Sequence, residues 1–332
     1  MTDTIHWGIL GAGRIARKFA ASLRELPEAK LVAVGSQDAA RAQSLAEEFG
    51  APHWHASYQA FVQDPTVQVV YVATRHPAHL EAMQLCLNAG KAVLCEKPFT
   101  INAAEAAAAI ALARQRKLFL MEAMWMRFFP VMERAREMLA QGRIGEPQSL
   151  QVDFGFRTEW NPEGRLLNRA LGGGALLDVG VYVVSLSSML FGPPVHITSD
   201  AVMGPTGVDE ACGLLLRHSQ GRFSILSAAI RTETRKEAVL CGTKGRLEIH
   251  APFWKASALA LVPLQGETER VELPYSGSGY QFEAAHVMRC LREGRTESPV
   301  MPLDETLSIM KTLDAARASW GLVYPGDSQK PE

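Results

Sequence analysis

Two glycines and an alanine stand where a buried strand meets a helix near the start of the chain. Ile5–Leu10 is apolar enough for a buried strand, and the next six residues, 11–16, read GAGRIA and open a predicted helix. In a G-x-G-x-x-A pattern, Gly11 permits a tight turn, Gly13 lets the backbone approach a pyrophosphate, and Ala16 lets the helix pack close to the strand. The helix N-terminus adds free amides for an anion, so the segment predicts a dinucleotide site. A glycine-rich turn without a ligand is the alternative.

The first third of the chain alternates short apolar runs with longer helical stretches. The predicted strands cover residues 5–10, 31–35, 67–73, 92–95 and 118–122. The predicted helices cover residues 14–26, 41–49, 79–89 and 103–114. This alternation is typical of a doubly wound parallel sheet.

The pattern changes after about Trp125. Helices are predicted at 131–140 and at the glycine-rich stretch 172–191, a strand at 149–157, and several hairpin-spaced strands over 195–273. Two further helices, at about 280–293 and 303–318, close the chain. We therefore predict an α/β chain with a Rossmann domain over residues 1–122 and an α+β domain with a mostly antiparallel sheet over 123–332.

Composition excludes several classes of protein. The chain has 332 residues, enough for two domains, and its formal net charge of −1 gives no general attraction to nucleic acid or anionic lipid. Its 5 cysteines are scattered without a CxxC pair, which argues against a metal site and a disulfide framework. We expect a cytoplasmic protein without a signal peptide and without an apolar run of membrane-spanning length.

The end of the second predicted strand bears on which dinucleotide is bound. An NAD site places an acidic residue there against the ribose 2′-hydroxyl. Here the strand ends in Ser36 and Gln37, and the first acid, Asp38, comes one or two positions later. Ser36 can donate to a phosphate, and Arg14 and Arg41 can supply positive charge, which favours NADP over NAD. An exposed cation on a helix surface is the alternative for Arg41.

A lysine follows the predicted strand at 92–95, in the sequence Cys95-Glu96-Lys97-Pro98. Ligands of doubly wound folds bind at the carboxyl ends of strands, and a proline cannot continue a sheet ladder. The chain must therefore turn and present Lys97 at the ligand crevice. We predict a functional role for Lys97; a plain surface charge is the alternative.

Two polar residues interrupt the apolar helix of the second predicted domain. Residues 172–182 read GGGALLDVGVY, which places Asp178 and Tyr182 one turn apart on one helix face. Polar groups on an otherwise apolar helix are costly unless they are exposed or used. The alternative is structural, with Tyr182 at the edge of the core and Asp178 bonded to backbone amides.

These motifs resemble the Gfo/Idh/MocA oxidoreductases, the family that includes glucose–fructose oxidoreductase and inositol dehydrogenase. The similarity is greatest to the branch of dimeric dihydrodiol dehydrogenase and NADP-dependent D-xylose dehydrogenase. The matching stretches are GAGRIA (11–16), TRHPAH (74–79), AGKAVLCEKP (89–98), MEAMWMRFFP (121–130), RALGGGALLDVGVY (169–182) and ESPVMPL (297–303). They run along nearly the whole chain, and the EKP and GGGALLDVGVY stretches are more specific than the glycine pattern.

The resemblance implies a C-terminal domain built on a large open sheet, whose outer face commonly makes a homodimer contact. It implies that Lys97 lies by the nicotinamide and that the peptide bond between Lys97 and Pro98 is cis. It also implies that Tyr182 occupies a position at which many members carry histidine. The implied cofactor-binding residues are Gly11, Gly13, Arg14, Ile15, Ser36, Gln37, Arg41, Thr74, His76, His79, Glu96 and Lys97. The implied substrate-pocket residues are Trp125, Phe154, Asp178 and Trp254. At Gln37 close relatives often carry arginine, which weakens the preference for NADP.

The sequence thus predicts hydride transfer between a nicotinamide cofactor and a hydroxyl or carbonyl carbon of a sugar or cyclic diol, xylose-like or trans-dihydrodiol-like. Tyr182 would move the proton. A free tyrosine titrates near ~10, and the Lys97 ammonium would lower that pKa. Asp178 would bond a substrate hydroxyl or orient the pair. The alternatives are a keto-sugar reductase acting on a substrate like 1,5-anhydrofructose, a non-catalytic redox sensor, and glycosidic cleavage by transient oxidation.

Overall fold

The computed structural model describes residues 4–328, which divide into two units. Unit 1 contains the described residues up to Thr100, together with Ala104–Trp125 and Ser276–Thr306. Unit 2 contains Ile101–Ala103, Met126–Tyr275 and the described residues from Leu307 onward. This division differs from the boundary predicted at residue 122, because residues 276–306 return to unit 1.

The strands form two sheets. In chain order they are β1 (Ile5–Leu10), β2 (Ala29–Gly35), β3 (His53–His55), β4 (Val69–Val72), β5 (Ala92–Glu96), β6 (Leu120–Ala123), β7 (Pro147–Gly155), β8 (His196–Met203), β9 (Asp209–Arg217), β10 (Phe223–Ala229), β11 (Ala238–Gly242), β12 (Gly245–Ile249), β13 (Ala258–Pro263) and β14 (Glu269–Glu272). The α-helices are α1 (Arg14–Leu23), α2 (Ala39–Phe49), α3 (Tyr58–Val62), α4 (His79–Asn88), α5 (Ala103–Arg116), α6 (Pro130–Ala140), α7 (Val181–Phe191), α8 (Tyr280–Arg292) and α9 (Leu303–Ser319).

The sheet of unit 1 is parallel throughout, in the order β3-β2-β1-β4-β5-β6. This is the doubly wound order, in which the direction of winding reverses between β1 and β4. The predicted Rossmann fold is therefore confirmed. Helix α8, from the last fifth of the chain, packs against α1, which explains why a distant stretch of sequence joins this unit.

The sequence did not predict β3 and α3, which are too short to show a clear periodicity. The side chain of Phe61, on α3, packs directly on the backbone of β1 and β2. A Cβ atom at Gly8 would lie 2.6 Å from the Phe61 ring, and one at Gly35 would lie 2.7 Å from it. The two strands therefore need glycine where this ring crosses them.

The sheet of unit 2 has 8 strands in the order β14-β13-β12-β11-β7-β10-β9-β8. All neighbouring pairs are antiparallel except β7 with β10, which confirms the mostly antiparallel sheet. Buried and exposed residues alternate along 212–217 of β9 and 223–228 of β10. One face of this sheet therefore packs against the core, and the opposite face is exposed in the single chain.

The expectation that no apolar run reaches membrane-spanning length is wrong. Arg169–Phe191 is long and apolar enough to cross a membrane by length and composition, and 89% of its apolar window is buried inside the structure. It contains a π-helix, Leu176–Gly180, that leads into α7. Helix α7 packs against β7 and β10. It is apolar on nearly all sides, which is typical of a helix buried in a core.

Candidate active site

The two glycines of the GAGRIA segment are needed for different reasons. Gly11 has φ +102, and a Cβ atom there would lie 2.6 Å from the carbonyl oxygen of Ala73, at the end of β4. Gly13 is the N-cap of α1 and has ordinary φ −89. No described protein atom lies within 4 Å of the position that a Gly13 Cβ would take. The fold therefore requires Gly11, whereas Gly13 borders open space.

The surroundings of Gly13 suit an anionic ligand. Within the described chain, no side chain caps α1 and no acidic residue lies in its first turn, where Arg14 is exposed and Ile15 is half-buried. The first amides of the helix are thus available to phosphate groups. Across the switch point, Thr74 Oγ1 is buried and lacks a hydrogen-bond partner among residues 4–328. An open cradle and an unsatisfied hydroxyl fit a dinucleotide lying over the ends of β1 and β4.

The acid near the end of β2 is engaged by its own helix. One Asp38 oxygen accepts from Arg41 N at 3.1 Å and so caps α2, and the other lies 3.1 Å from Arg41 Nε. Ser36 is buried and accepts from Asp38 N, whereas Gln37 and Arg41 are exposed. The carboxylate is thus held by Arg41 at the start of α2 rather than at the strand end.

Lys97 begins the turn after β5, and its backbone is held by a buried carboxylate. The bond between Lys97 and Pro98 is cis, as the resemblance implied. One Glu96 oxygen accepts from Lys97 N at 3.1 Å, and the other accepts a short hydrogen bond from the Tyr71 hydroxyl on β4. The Tyr71 ring stacks on Phe19 of α1 at 3.7 Å between centroids. This chain of contacts fixes the strand end that carries Lys97.

A second buried carboxyl group, Glu283 on α8, lies near Glu96. Glu283 is completely buried, and both of its carboxyl oxygens lack hydrogen-bond partners within the described residues. Burial, followed by the negative charge of Glu96, raises the pKa of Glu283 well above its ordinary value. Nothing local in the sequence points to this residue or to Tyr71.

His79 is completely buried and connects the ends of two strands. Its Nδ1 lies 2.9 Å from the carbonyl oxygen of Pro98, and its Nε2 lies 3.3 Å from that of Thr74. Burial lowers the pKa of His79, the two carbonyls oppose that effect, and the charge of Lys97 adds to it. His76 contacts the His79 ring edge-on at 5.7 Å. His79 thus links the residues that follow β4 and β5.

Trp125 is the one predicted pocket residue that falls in unit 1. It is buried and stacks on Tyr280 of α8, with ring centroids 4.3 Å apart and planes within 3°. Tyr280, which the sequence did not single out, thereby fixes the indole.

The other predicted pocket residues gather in unit 2. The rings of Phe154 and Trp254 stack at 3.6 Å and 9°, and Tyr182 lies 5.4 Å from Phe154 at a tilt of 51°. Phe253 packs edge-on against both stacked rings. Three residues selected from distant parts of the sequence therefore form one aromatic group, whose Tyr182 is 5% exposed.

Asp178 is 4% exposed and is paired with a residue that the sequence did not suggest. Arg165 Nη1 donates to Asp178 Oδ1 at 2.8 Å, and the arginine side chain is about half exposed. The two side chains form a charge-assisted hydrogen bond, which holds the carboxylate in place. Among residues 4–328, no cluster of His, Cys, Asp or Glu is arranged to hold a metal ion.

Comparison with known proteins identifies the family. Residues 5–124 match the model described as "Oxidoreductase family, NAD-binding Rossmann fold", and residues 132–248 match the GFO/IDH/MocA C-terminal domain. The chain belongs to the GFO/IDH/MocA oxidoreductase family. The resemblance inferred from the motifs is confirmed, and the protein is a nicotinamide-dependent oxidoreductase.

Similar proteins include the trans-1,2-dihydrobenzene-1,2-diol dehydrogenases of Mus musculus and Homo sapiens. They are 40% and 39% identical to the chain over 337 residues, which cover 98% of this chain and 99% of each relative. Among solved structures, the 3-ketoreductase of Actinomadura kijaniata with NADP and TDP-benzene has a TM-score of 0.85 at 26% identity, covering 95% of this chain and 98% of its own. The aldose–aldose oxidoreductase of Caulobacter crescentus with glycerol has a TM-score of 0.87 at 25% identity, covering 95% and 97%.

Gly13→Ala is expected to fold normally and to lose cofactor affinity. The new methyl group would have no other described residue within 4 Å, but it would fill the space that a pyrophosphate approaches, so the Kd for NAD(P)H should rise at least about tenfold. Thermal unfolding and fluorescence titration measure the two effects separately.

Gly11→Ala is the matched control, because its defect should be in folding. A positive φ costs a non-glycine residue about 1–2 kcal/mol, and the Ala73 carbonyl adds a steric conflict. Its Tm should fall clearly. Wild-type cofactor binding by Gly13→Ala would show that the pyrophosphate does not pass over this residue.

Proposed function

We propose that the protein transfers a hydride between NADP and a secondary alcohol or ketone carbon of a cyclic trans-diol or sugar. Tyr182 moves the proton, with Lys97 as the assisting cation. The observation that carries this proposal is the grouping of the Tyr182 phenol with the stacked Phe154 and Trp254 rings in unit 2. A buried phenol among aromatic rings suits a small ring-shaped substrate better than a structural role alone.

The aromatic group offers a flat apolar surface to a substrate ring. Stacked indole and phenyl faces favour the carbon face of a sugar or an unsaturated diol. Asp178 would accept from a substrate hydroxyl while Arg165 holds the carboxylate in position. The names of the 40% and 39% identical relatives support a trans-diol of a six-membered ring as the substrate.

Side chains of the protein would transfer the proton, whereas the nicotinamide, when bound, supplies hydride chemistry. The Tyr182 phenol would take the hydroxyl proton in oxidation and return it in reduction. A cation beside a phenol stabilises the phenolate, which is the part that we assign to Lys97. Lys97 belongs to unit 1 and Tyr182 to unit 2, so the assignment of both residues to one reaction is part of the proposal.

Preference for NADP is supported by the end of β2. Asp38, the acid nearest the strand end, caps α2 and pairs with Arg41, so Ser36 and Gln37 face the position of the ribose 2′ group in dinucleotide-binding folds. Arg41 is exposed there and can pair with a 2′-phosphate. The ketoreductase of Actinomadura kijaniata was solved with NADP.

A second candidate is a keto-sugar reductase, and the structural similarity to that 3-ketoreductase favours it. The site chemistry is the same in both directions, because the phenol that accepts a proton in oxidation donates it in reduction. The dehydrogenase names of the relatives favour an enzyme over the non-catalytic sensor. A cytoplasmic location stays a prediction; all five cysteines are free thiols.

We also propose that two copies pair through the exposed face of the sheet in unit 2. Leu215 and Ile225 are direct cross-strand partners on β9 and β10, and each is 48% exposed. Phe223, two positions before Ile225 on β10, is 40% exposed, and Val202 of β8, which pairs with Ala211 further along β9, is 65% exposed. Contiguous apolar patches of this kind commonly mark protein interfaces.

The substrate assignment predicts the outcome of an assay panel. NADP should be reduced with trans-dihydrodiols and with aldoses such as xylose, and more slowly when NAD replaces it at equal concentration. Absorbance at the reduced-nicotinamide band measures both. Activity confined to the reduction of keto-sugars would favour the second candidate, and inactivity with every alcohol and ketone would reject both.

Tyr182→Phe should lower kcat by at least about a hundredfold, the usual scale of acid–base catalysis, while the Kd of the cofactor stays near wild type. Tyr58→Phe, which removes a hydroxyl from α3, is the control and should keep full activity. Full activity in Tyr182→Phe would remove the phenol from the mechanism.

The part assigned to Lys97 is tested by the pH dependence of kcat. Lys97→Met should abolish turnover or move the alkaline limb of the pH–rate curve, because the phenolate loses its cation. Lys97→Arg keeps the charge and should be less impaired. A Lys97→Met curve that superimposes on the wild-type curve contradicts the assignment.

The double variant Leu215→Glu with Ile225→Glu should convert a dimer to a 36.3 kDa monomer, because it buries two carboxylates in the proposed interface. Size-exclusion chromatography with light scattering measures the mass. Val323→Glu, at a 52% exposed position outside the sheet, is the control and should stay dimeric. A wild-type chain that is monomeric at micromolar concentration would end this proposal.

A further inference from the structure

We propose that Asp209 and Tyr324 are positioning residues that hold the start of the segment carrying Asp178 and Tyr182. They clamp residues 173–176, the glycine turn and the first residue of the π-helix, from two distant parts of the sequence. The inference rests on the proposed function, in which Asp178 and Tyr182 meet the substrate.

Asp209, the first residue of β9, is bonded to the start of the π-helix. It is completely buried, and its Oδ2 accepts from Leu176 N at 2.6 Å. A carboxylate at this end of a helix also interacts favourably with the helix dipole. Its Oδ1 is buried and has no hydrogen-bond partner within residues 4–328. Burying an acid with one unsatisfied oxygen lowers the stability of the fold. Its hydrogen bond to Leu176 N is the contact that the buried acid provides.

The same carboxylate lies directly against the glycine turn. Gly174 has φ +118, and a Cβ atom there would collide with Asp209 Oδ1. At Gly173, a Cβ atom would lie 2.7 Å from the carbonyl oxygen of Leu166. The turn is therefore enclosed on both sides, and only glycine lets the carboxylate approach it.

Tyr324 holds the turn from the C-terminal part of unit 2. Its hydroxyl donates to the carbonyl oxygen of Gly173 at 2.7 Å, and its ring is 1% exposed. Its own backbone N–H donates to Asp327 Oδ2 at 2.7 Å. Arg317 binds Asp327 and lies over the Tyr324 ring at 5.3 Å. Contacts other than the bond to Gly173 thus hold Tyr324 in position.

The clamp acts where the helix is least regular. Leu176–Gly180 is a π-helix, a conformation that is rare and that frequently occurs at functional sites. Asp178, in the middle of it, donates its backbone N–H to the carbonyl oxygen of Gly174 at 3.2 Å. Because Tyr182 follows within one turn, a shift of the clamped residues moves both functional side chains together.

Burial raises the pKa of Asp209 to about 7, against the opposing effect of the backbone amides of Leu176, Asp209 itself and Ala175. Asparagine therefore reproduces both the shape and the neutral form of this side chain. It also keeps an oxygen that can accept from Leu176 N. Asp209→Asn is consequently the conservative variant, and Asp209→Ala removes the bond.

The experiment measures hydrogen–deuterium exchange, kcat, KM and cofactor Kd for Asp209→Ala, Asp209→Asn and Tyr324→Phe. In Asp209→Ala, exchange across residues 174–182 should be at least about tenfold faster, because the helix start opens locally. Its kcat should fall at least about tenfold, since small misplacements are costly to catalysis, while cofactor Kd stays near wild type. Asp209→Asn should restore most of both. Tyr324→Phe should show the same changes more weakly.

Glu267→Ala, which removes an exposed carboxylate from the loop between β13 and β14, is the control and should resemble wild type. Wild-type exchange across residues 174–182 in Asp209→Ala would overturn the proposal. A kcat loss in Asp209→Asn as large as that in Asp209→Ala would also overturn it, because charge rather than position would then matter. If Asp209→Ala does not fold, Asp209→Asn and Tyr324→Phe decide: wild-type exchange and kcat in Tyr324→Phe would contradict the clamp.

Exchange is measured without substrate, so it separates this inference from the proposed function. Faster exchange together with full activity of Tyr182→Phe would leave the clamp in place and reject the acid–base role of Tyr182. Unchanged exchange together with an inactive Tyr182→Phe would reject the clamp and leave that role in place.

Discussion

The close approach of three strands around Gly11 is the contact on which the cofactor region depends. Gly11 N donates to the carbonyl oxygen of Gly35, and the Ala73 carbonyl lies where a Cβ atom would be. This contact joins the ends of β1, β2 and β4 and so fixes where α1 begins. Since the amides of α1 and the open space at Gly13 are what a pyrophosphate can use, the backbone of Gly11 determines the geometry of the whole nucleotide region.

Buried polar groups complete the sites in each unit, and each has a structural cost. In unit 1, Tyr71 and Glu96 hold the backbone of Lys97, and Glu283, whose pKa is raised by burial, lies near Glu96. In unit 2, Asp209 has one oxygen bonded to the π-helix and one left without a partner. An apolar residue would avoid the cost of burying these groups but could not fix a backbone N–H in place. These buried polar groups therefore lower the stability of the fold but hold the backbone of each site in a defined position.

The family relationship and the site explain different things. Membership of the GFO/IDH/MocA family accounts for the two sheets and for nicotinamide chemistry. In the function that we propose, the aromatic group of Phe154, Trp254 and Tyr182, with Asp178 held by Arg165, would narrow the substrate to a small ring with hydroxyl groups. Function in such folds is decided by the side chains of the site rather than by the sheet itself.

The sequence alone determined the parallel Rossmann sheet, the antiparallel second sheet, the glycine turn and the strand end that carries Lys97. These features follow from local periodicity and from residues such as Gly11 and Pro98, whose backbone constraints act within a few positions. Only the tertiary structure revealed β3, α3, the return of residues 276–306 to unit 1 and the partners Tyr71, Glu283, Arg165, Asp209 and Tyr324. Tyr324 and Gly173 are 151 residues apart, and such contacts leave no periodic pattern in either segment. A side chain that acts by meeting a distant backbone group becomes visible only when the fold brings the two together.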